Sequence, residues 1–199
     1  MVNRTHYTSR HHLLSTRGTL FFDICRIIEE KKPKAFVLEN VSNLEKHDSG
    51  RTLTVMLSVL SELGYTVVYK VLNARNFGVP QNRERIIIVG NLNGRAFDFT
   101  KLKTNTIETM KPFLDKAADF EILPKESYTI LDDSQIKKQS KSGLMFCGYR
   151  NKKIRTVGVR PGTEHLSRVH KQPNRIYSSS GIHPTLASQE SSGRYFIKD

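Results

Sequence analysis

Ala35-Phe36-Val37-Leu38-Glu39-Asn40-Val41 is the stretch from which the fold of this chain can be worked out. Its first four residues are apolar, and so short an apolar run is typical of a strand buried on both faces of a parallel sheet. We therefore expect a fully buried strand of parallel type that ends at Glu39. Ligands of open α/β sheets collect at the carboxyl ends of such strands, which makes Glu39 a candidate functional residue.

The segments on either side of this strand predict helices. Residues 18–32 carry an apolar stripe at helical spacing and are followed by Pro33. A second amphipathic helix is predicted over residues 51–63, with Gly64 as a left-handed cap, and residues 66–72 follow as a strand. This alternation of helix and strand predicts an open α/β sheet.

A loop leads from that strand to the next one. Residues 73–83 are rich in Asn and include Gly78 and Pro80, and the apolar strand 86–89 follows. Arg85 then stands at the start of a strand. Beyond Asn91 the regular signals weaken, apart from a faint helical pattern near residues 109–120, so we expect a domain boundary there.

The composition indicates a globular protein with a polyanionic partner. Of the 199 residues 37% are hydrophobic, and the formal net charge is +13. Such a charge favours nucleic acid through counterion release, although a basic protein without this function remains the alternative. No apolar run reaches the roughly 20 residues that a bilayer requires, and no secretory signal is evident, so we expect a cytoplasmic protein without a membrane span.

The cysteines and histidines do not indicate a metal site. Cys25 and Cys147 lack metal-ligand or redox spacing, and we interpret both as free thiols. His165 and His170 have no zinc-like companions, and we interpret them as surface or phosphate-contacting groups. No metal is expected.

Positive charge is concentrated between residues 137 and 175, where Glu164 is the single acid. Glycines interrupt the basic residues, as suits loops that lie along a groove and its phosphates. A solvated loop region with incidental charge is the alternative. We expect contacts with double-stranded DNA from Arg150, Lys152, Lys153, Arg155, Arg160, Arg168, Lys171 and Arg175.

Glu39 and Arg85 together suit cytosine. A glutamate can hydrogen-bond a ring nitrogen and an exocyclic amine, while an arginine opposite donates to a carbonyl oxygen. The alternative is that Glu39 caps the turn that follows or pairs with a lysine.

These residues resemble the DNA cytosine-5 methyltransferases. The family's Glu-Asn-Val element matches residues 39–41, and its Gln-x-Arg-x-Arg element matches residues 81–85. Further similar segments are 17–21, 76–80 and 181–186. The resemblance implies that Glu39 holds a flipped cytosine at its ring nitrogen and amino group. It also implies that Arg85 contacts the carbonyl oxygen, and that Arg83 supports the site or a nearby phosphate.

The resemblance further implies a reaction and a fold. A thiolate adds to the cytosine ring, and the methyl group of S-adenosylmethionine passes to carbon 5, in a restriction-modification context. The fold would be α/β, the latter half of a Rossmann-like methyltransferase domain followed by a small irregular target-recognition region. We assign residues 17–93 to the partial catalytic domain and residues 94–199 to target recognition, and leave residues 1–16 unmatched.

The sequence departs from the family's pattern in three elements. The Pro-Cys motif with the nucleophilic thiolate, the glycine-rich cofactor turn and the closing motif are all missing. Cys25 lies in a predicted helix beside the apolar stripe, where a buried thiol is inert. We therefore expect a fragment that is inactive alone and binds S-adenosylmethionine poorly, if at all.

Several alternatives stay open at this stage. The chain is either a subunit of a split methyltransferase, completed by another polypeptide, or a non-catalytic remnant that binds DNA, and the unmatched residues 1–16 favour the remnant. A DNA-binding module without catalytic ancestry and a tRNA cytosine methyltransferase are further readings. The long basic region favours DNA over tRNA.

Overall fold

The computed structural model describes residues 16–114, 123–152, 166–185 and 195–197. The chain forms two compact units, one of Met1–Leu72 with Glu84–Leu102 and one of Asn73–Arg83 with Lys103–Asp199. The chain therefore passes from the second unit back to the first between Arg83 and Glu84. This division differs from the boundary after residue 93, and the assignment of domains stays a prediction.

The helices and strands of the described residues are short. The helices are α1 (Thr16–Lys31) and α2 (Arg51–Glu62), neither of which is long and apolar enough to cross a membrane. The strands are β1 (Ala35–Val41), β2 (Thr66–Asn73), β3 (Gln81–Asn82), β4 (Glu84–Asn91), β5 (Tyr128–Ile130), β6 (Phe146–Arg150), β7 (Arg175–Ser178), β8 (His183–Pro184) and β9 (Tyr195–Ile197).

The first unit confirms most of the predicted elements. Both helices and β2 lie within two residues of their predicted bounds. Gly64 follows α2 with a φ of 90°, the left-handed conformation expected of a glycine cap. Within the described residues, β1, β4 and β2 form a three-stranded sheet in that order. An apolar core joins α1, α2 and the β4 residues Ile86 and Ile88.

The prediction for β1 is wrong in three respects. The strand pairs antiparallel with β4 and continues past Glu39 to Val41. It is also not fully buried, because Phe36 and Leu38 pack against the core while Val37 on the other face is 67% exposed. Among the described residues, both helices pack on one face of the sheet. Two covered faces were expected because an apolar run does not reveal whether its strand has one buried face or two.

The second unit contains more regular structure than the sequence pattern indicated. In its described part, β5, β6, β7 and β9 form a four-stranded sheet in that order. β5 and β6 pair antiparallel, as do β6 and β7, whereas β7 and β9 run parallel. β3 and β8 form a separate parallel pair. Strands of three to five residues are too short to show a clear alternation.

The helical pattern near residues 109–120 does not produce an α-helix where the structure describes it. Residues 111–113 form a single 3-10 turn, Lys111–Phe113, with a proline at its start. Residues 115–120 lie outside the described part of the chain.

Two leucines provide a matched test of this core. Leu60 on α2 is 0% exposed and Leu20 on α1 is 64% exposed. We expect Leu60→Ala to lower the free energy of unfolding by about 2–5 kcal/mol, because it leaves a cavity in the core. Leu20→Ala is expected to change it by no more than about 0.5 kcal/mol. Urea denaturation measures both variants, and equal losses would contradict the described packing.

Candidate functional site

Glu39 and Arg85 form an ion pair across β1 and β4. In the antiparallel register Val41 lies opposite Arg85, and Glu39 lies opposite Ile87. Glu39 and Arg85 are therefore diagonal neighbours on one face of the sheet. Nε of Arg85 donates to Oε1 of Glu39 at 2.7 Å. The structure thus brings together two of the three residues predicted for cytosine recognition.

The surroundings of this pair leave it open to a ligand. The Arg85 side chain is 21% exposed and that of Glu39 is 51% exposed. Nη1 of Arg85 donates to the carbonyl oxygen of Glu84 at 2.8 Å, which fixes the orientation of the guanidinium. A half-exposed pair adds little to stability. A ligand that replaces part of this ion pair therefore costs the protein little stability. The pair is chemically suited to recognition.

The backbone after β1 contains three consecutive residues in the left-handed region. Asp48 has a φ of 51°, Ser49 of 55° and Gly50 of 85°. The carboxylate of Asp48 accepts from Nη2 of Arg51 at 2.5 Å, which ties this loop to the start of α2. Left-handed non-glycine residues cost on the order of 1–3 kcal/mol each and occur preferentially at functional sites. The sequence analysis missed this loop, although Asp-Ser-Gly is a turn-forming combination.

Arg83 belongs to the second unit. Its backbone N–H donates to Oδ1 of Asn73 at 3.1 Å, and its carbonyl oxygen accepts from the backbone N–H of Ala74 at 3.0 Å. The side-chain amide of Asn73 also donates to Oδ1 of Asn82 at 2.7 Å. These bonds hold both ends of the loop that carries Arg83. The role of Arg83 at the site or at a phosphate stays a prediction.

A charged cluster anchors the same loop. Arg75 is 9% exposed, and its Nη2 pairs with Oε1 of Glu108 at 3.2 Å. Nζ of Lys138 pairs with the other carboxylate oxygen of Glu108 at 3.1 Å. The hydrogen bond from Lys138, followed by the charge of Arg75, lowers the pKa of Glu108. The sequence analysis missed this cluster because its members are some thirty residues apart.

Gly143 shows how tightly Arg75 is packed. A Cβ atom at Gly143 would lie 2.5 Å from Nη1 of Arg75 and 2.8 Å from Cγ1 of Ile182. Its φ of 70° is also in the left-handed region. A side chain at this position would therefore displace the buried guanidinium.

The position of Cys25 agrees with an inert thiol. The side chain is 3% exposed and belongs to the core of the first unit. Burial, with a smaller contribution from the charge of Glu29, raises the pKa of the Cys25 thiol to about 12. Almost no thiolate exists near neutral pH at such a pKa, and the thiolate is the nucleophile.

The structure describes five of the eight residues that were predicted to contact DNA. Lys152, Arg168 and Lys171 are exposed, whereas Arg150 and Arg175 are half-buried. Nε of Arg175 donates to the carbonyl oxygen of His170 at 3.1 Å, so this guanidinium has a structural partner. The remaining residues of that prediction, Lys153, Arg155 and Arg160, lie outside the described part of the chain, as does His165.

The interpretation of His170 as a surface group is wrong. The residue is 1% exposed. Its ring stacks on Tyr149 with 3.9 Å between centroids and lies 5.8 Å from the ring of Phe146. In the sequence His170 lies among basic residues. Its burial depends on the packing of its ring against Phe146 and Tyr149 of β6, which are distant in sequence.

Comparison with known proteins decides the family. Residues 5–193 match the family model described as C-5 cytosine-specific DNA methylase. The chain belongs to this family. Within it, the chain is 52% identical over 123 residues to the Type II methyltransferase M.SsoII of Shigella sonnei, covering 59% of this chain and 30% of that protein. It is 34% identical over 210 residues to the orphan methyltransferase M.Rho11sI of Bacillus phage rho11s, covering 89% of this chain and 41% of that protein.

A solved structure is also similar to this chain. The Dnmt2 methyltransferase of S. pombe matches with a TM-score of 0.40 and 20% identity, covering 58% of this chain and 37% of that one. The chain spans less than half the length of each of these three relatives.

Cytosine-5 methyltransferases use S-adenosylmethionine as the methyl donor. The described residues do not fit this molecule, because they contain no glycine-rich turn between a strand and a helix. Gly50 precedes α2, but the carboxylate of Asp48, two residues before Gly50, is already bound to Arg51. Within the described ranges, no group of three or more His, Cys, Asp or Glu side chains is arranged to hold a metal ion.

Thiol titration tests the environment of Cys25. Both cysteines are buried, and they are the only two in the sequence. We expect an aromatic disulfide reagent to label neither thiol in the native protein and both after unfolding in urea. Cys147→Ser leaves Cys25 as the single thiol and serves as the control. Rapid labelling of native Cys147→Ser at pH 8 would contradict the raised pKa of Cys25.

The pH dependence of stability tests the charged cluster. The pKa of Glu108 is lowered from its ordinary value of 4.5. Its stabilising contribution is therefore fully present above about 4.5 and is lost as the pH falls through the lower folded-state pKa. We expect Glu108→Gln to reduce stability at pH 7 and to flatten the decline in acid. Urea midpoints between pH 3 and 7 measure this, with exposed Glu126→Gln as the matched control. Identical acid profiles for the two variants would count against the cluster.

Proposed function

We propose that this chain is the part of a restriction-modification DNA cytosine-5 methyltransferase that recognises cytosine and DNA. The observation that carries this proposal is the Glu39–Arg85 pair, with 2.7 Å between its nitrogen and oxygen. Both residues fall in the motifs that resemble the family's cytosine-recognition elements. The chain belongs to that family, which supports the same reading.

The chemistry of the pair suits a cytosine that has been flipped out of the duplex. The carboxyl group of Glu39, when protonated, would donate to the ring nitrogen and accept from the exocyclic amine, and Arg85 would donate to the ring carbonyl oxygen. The two contacts that donate, to the ring nitrogen and to the carbonyl oxygen, draw electron density from the ring, which favours addition of a nucleophile. A base with a carbonyl in place of the amine presents an acceptor where cytosine presents a donor, so the carboxyl oxygen that accepts from the amine loses its hydrogen bond and the base is disfavoured.

Double-stranded DNA is the proposed partner of the second unit. Lys152, Arg168 and Lys171 are exposed there, as residues that contact DNA must be. The net charge of +13 supports the same partner. Arg83 would contact a phosphate or support the site. The proposal extends to Lys153, Arg155 and Arg160 on the strength of the sequence alone.

We also propose that the chain does not transfer methyl groups alone. The buried Cys25 thiol, with a pKa of about 12, is unsuited to attack. S-adenosylmethionine and the nucleophilic thiolate would then be bound and supplied by polypeptide other than the described residues. The alternative is a non-catalytic remnant that binds DNA. A remnant would not become active when another polypeptide is added.

One observation favours completion by another polypeptide, as in a split methyltransferase. The sheet face that carries Glu39 and Arg85 also carries Val37, 67% exposed, and Val41, 52% exposed. The described helices pack on the opposite face. Exposed apolar residues on both sides of a recognition pair suit a complementary chain that covers the face and closes the site.

Methyl transfer from labelled S-adenosylmethionine to mixed-sequence DNA tests the proposal. We expect no transfer by the chain alone, and transfer once the remaining part of the M.SsoII sequence is added as a separate polypeptide. Glu39→Gln should then lower the rate about 100-fold or more, because the base is no longer held and polarised.

Cys25→Ser is the matched control in this assay and should leave the restored rate unchanged. Activity of the chain alone that disappears in Cys25→Ser would contradict the assignment of an inert thiol. Absence of transfer with every complement, together with intact DNA binding, would favour the remnant.

A further inference from the structure

A cleft of about 610 Å³ lies in the second unit, outside the Glu39–Arg85 site. Phe146 and Leu166 provide its apolar lining, and Lys137, Gln139 and Arg168 are among its polar residues. No acidic side chain lines the described part of the cleft. An apolar surface with a few polar groups and a positive charge suits a nucleic-acid base and its phosphates.

Gln139 is exposed on this cleft and makes hydrogen bonds through both its backbone and its side chain. Its backbone N–H donates to the carbonyl oxygen of Leu144 at 2.8 Å, and its carbonyl oxygen accepts from the N–H of Gly143 at 2.7 Å. The hydroxyl of Ser142 donates to Oε1 of Gln139 at 2.7 Å. The amide oxygen keeps a second lone pair, and the amide nitrogen has two donors. The side chain can therefore offer both an acceptor and donors to the edge of a base.

Arg168 is exposed but stands on a well-anchored turn. It lies in the 3-10 turn Ser167–Val169, and Val169 is 4% exposed. The next residue, His170, is 1% exposed and stacks on Tyr149. The buried neighbours fix the backbone, so the guanidinium is presented from a rigid base.

We propose that this cleft reads the edges of bases in double-stranded DNA. Gln139 would pair with an adenine, accepting from its amino group and donating to its ring nitrogen. Arg168 would donate to the oxygen and ring nitrogen of a guanine, and Lys137 would contact a phosphate. This inference rests on the proposed function and adds the residues that determine sequence preference. The alternative, a solvated basic surface, predicts no dependence on base identity.

Selection from a randomised duplex pool tests the inference without any need for catalysis. The purified chain and its variants are each used to enrich DNA, and the enriched sequences are read. We expect the unmodified chain to enrich a motif that contains adenine and guanine. Gln139→Ala should lose the adenine preference, and Arg168→Ala the guanine preference, each by about 5- to 150-fold at a single position.

Further variants separate reading from general affinity. Lys137→Ala should enrich the same motif with weaker binding, and the slope of log affinity against log salt should fall by about 1. Ser142→Ala removes the hydroxyl that orients Gln139 and should weaken the adenine preference alone. Lys125→Ala, an exposed lysine outside the cleft, should change neither the motif nor the salt slope.

The outcomes distinguish this inference from the proposed function. An unchanged motif in both Gln139→Ala and Arg168→Ala would overturn the inference and leave DNA recognition intact. Binding by the unmodified chain without any enriched motif would overturn it as well. Failure of the unmodified chain to bind DNA would overturn both. Circular dichroism of each variant confirms that the second unit is folded.

Discussion

The antiparallel pairing of β1 with β4 determines the geometry of the candidate site. Because Val41 lies opposite Arg85, the side chain of Glu39 falls diagonally beside the guanidinium on the same face. A shift of one residue in register would turn one member of the pair towards the helices. The core formed by α1, α2, Ile86 and Ile88 fixes this register, because it requires the alternate residues of β4 on the helical face.

The chain passes from the second unit to the first within the arginine motif, residues 81–85. Residues up to Arg83 belong to the second unit, and residues from Glu84 belong to the first. Asn73 holds the backbone of Arg83, while Arg75 and Glu108 anchor the preceding loop. The hydroxyl of Thr185 donates to the carbonyl oxygen of Asn82 at 2.7 Å, which adds a further tie within the second unit. One short motif therefore contributes residues to both units.

The sequence predicted features that depend on local pattern. The apolar stripes predicted both helices, and the match to a Glu-Asn-Val and a Gln-x-Arg-x-Arg element predicted that Glu39 and Arg85 act together. Features that depend on distant contacts were not predicted. The antiparallel neighbour of β1, the partners of Arg75 and the burial of His170 between aromatic rings each depend on residues far away in sequence. Similarly, Gln139 showed no signal, because its orientation depends on Ser142 and on a turn that closes at Gly143.

Joint action of Glu39 and Arg85 on cytosine is the basis of the proposed function. A double-mutant cycle of Glu39→Gln and Arg85→Gln tests it most directly, with affinities measured for two duplexes that differ only in an unpaired cytosine or an unpaired thymine. We expect a coupling energy of about 0.5–3 kcal/mol for the cytosine duplex and none for the thymine duplex. Additive effects that are equal for the two duplexes would contradict it.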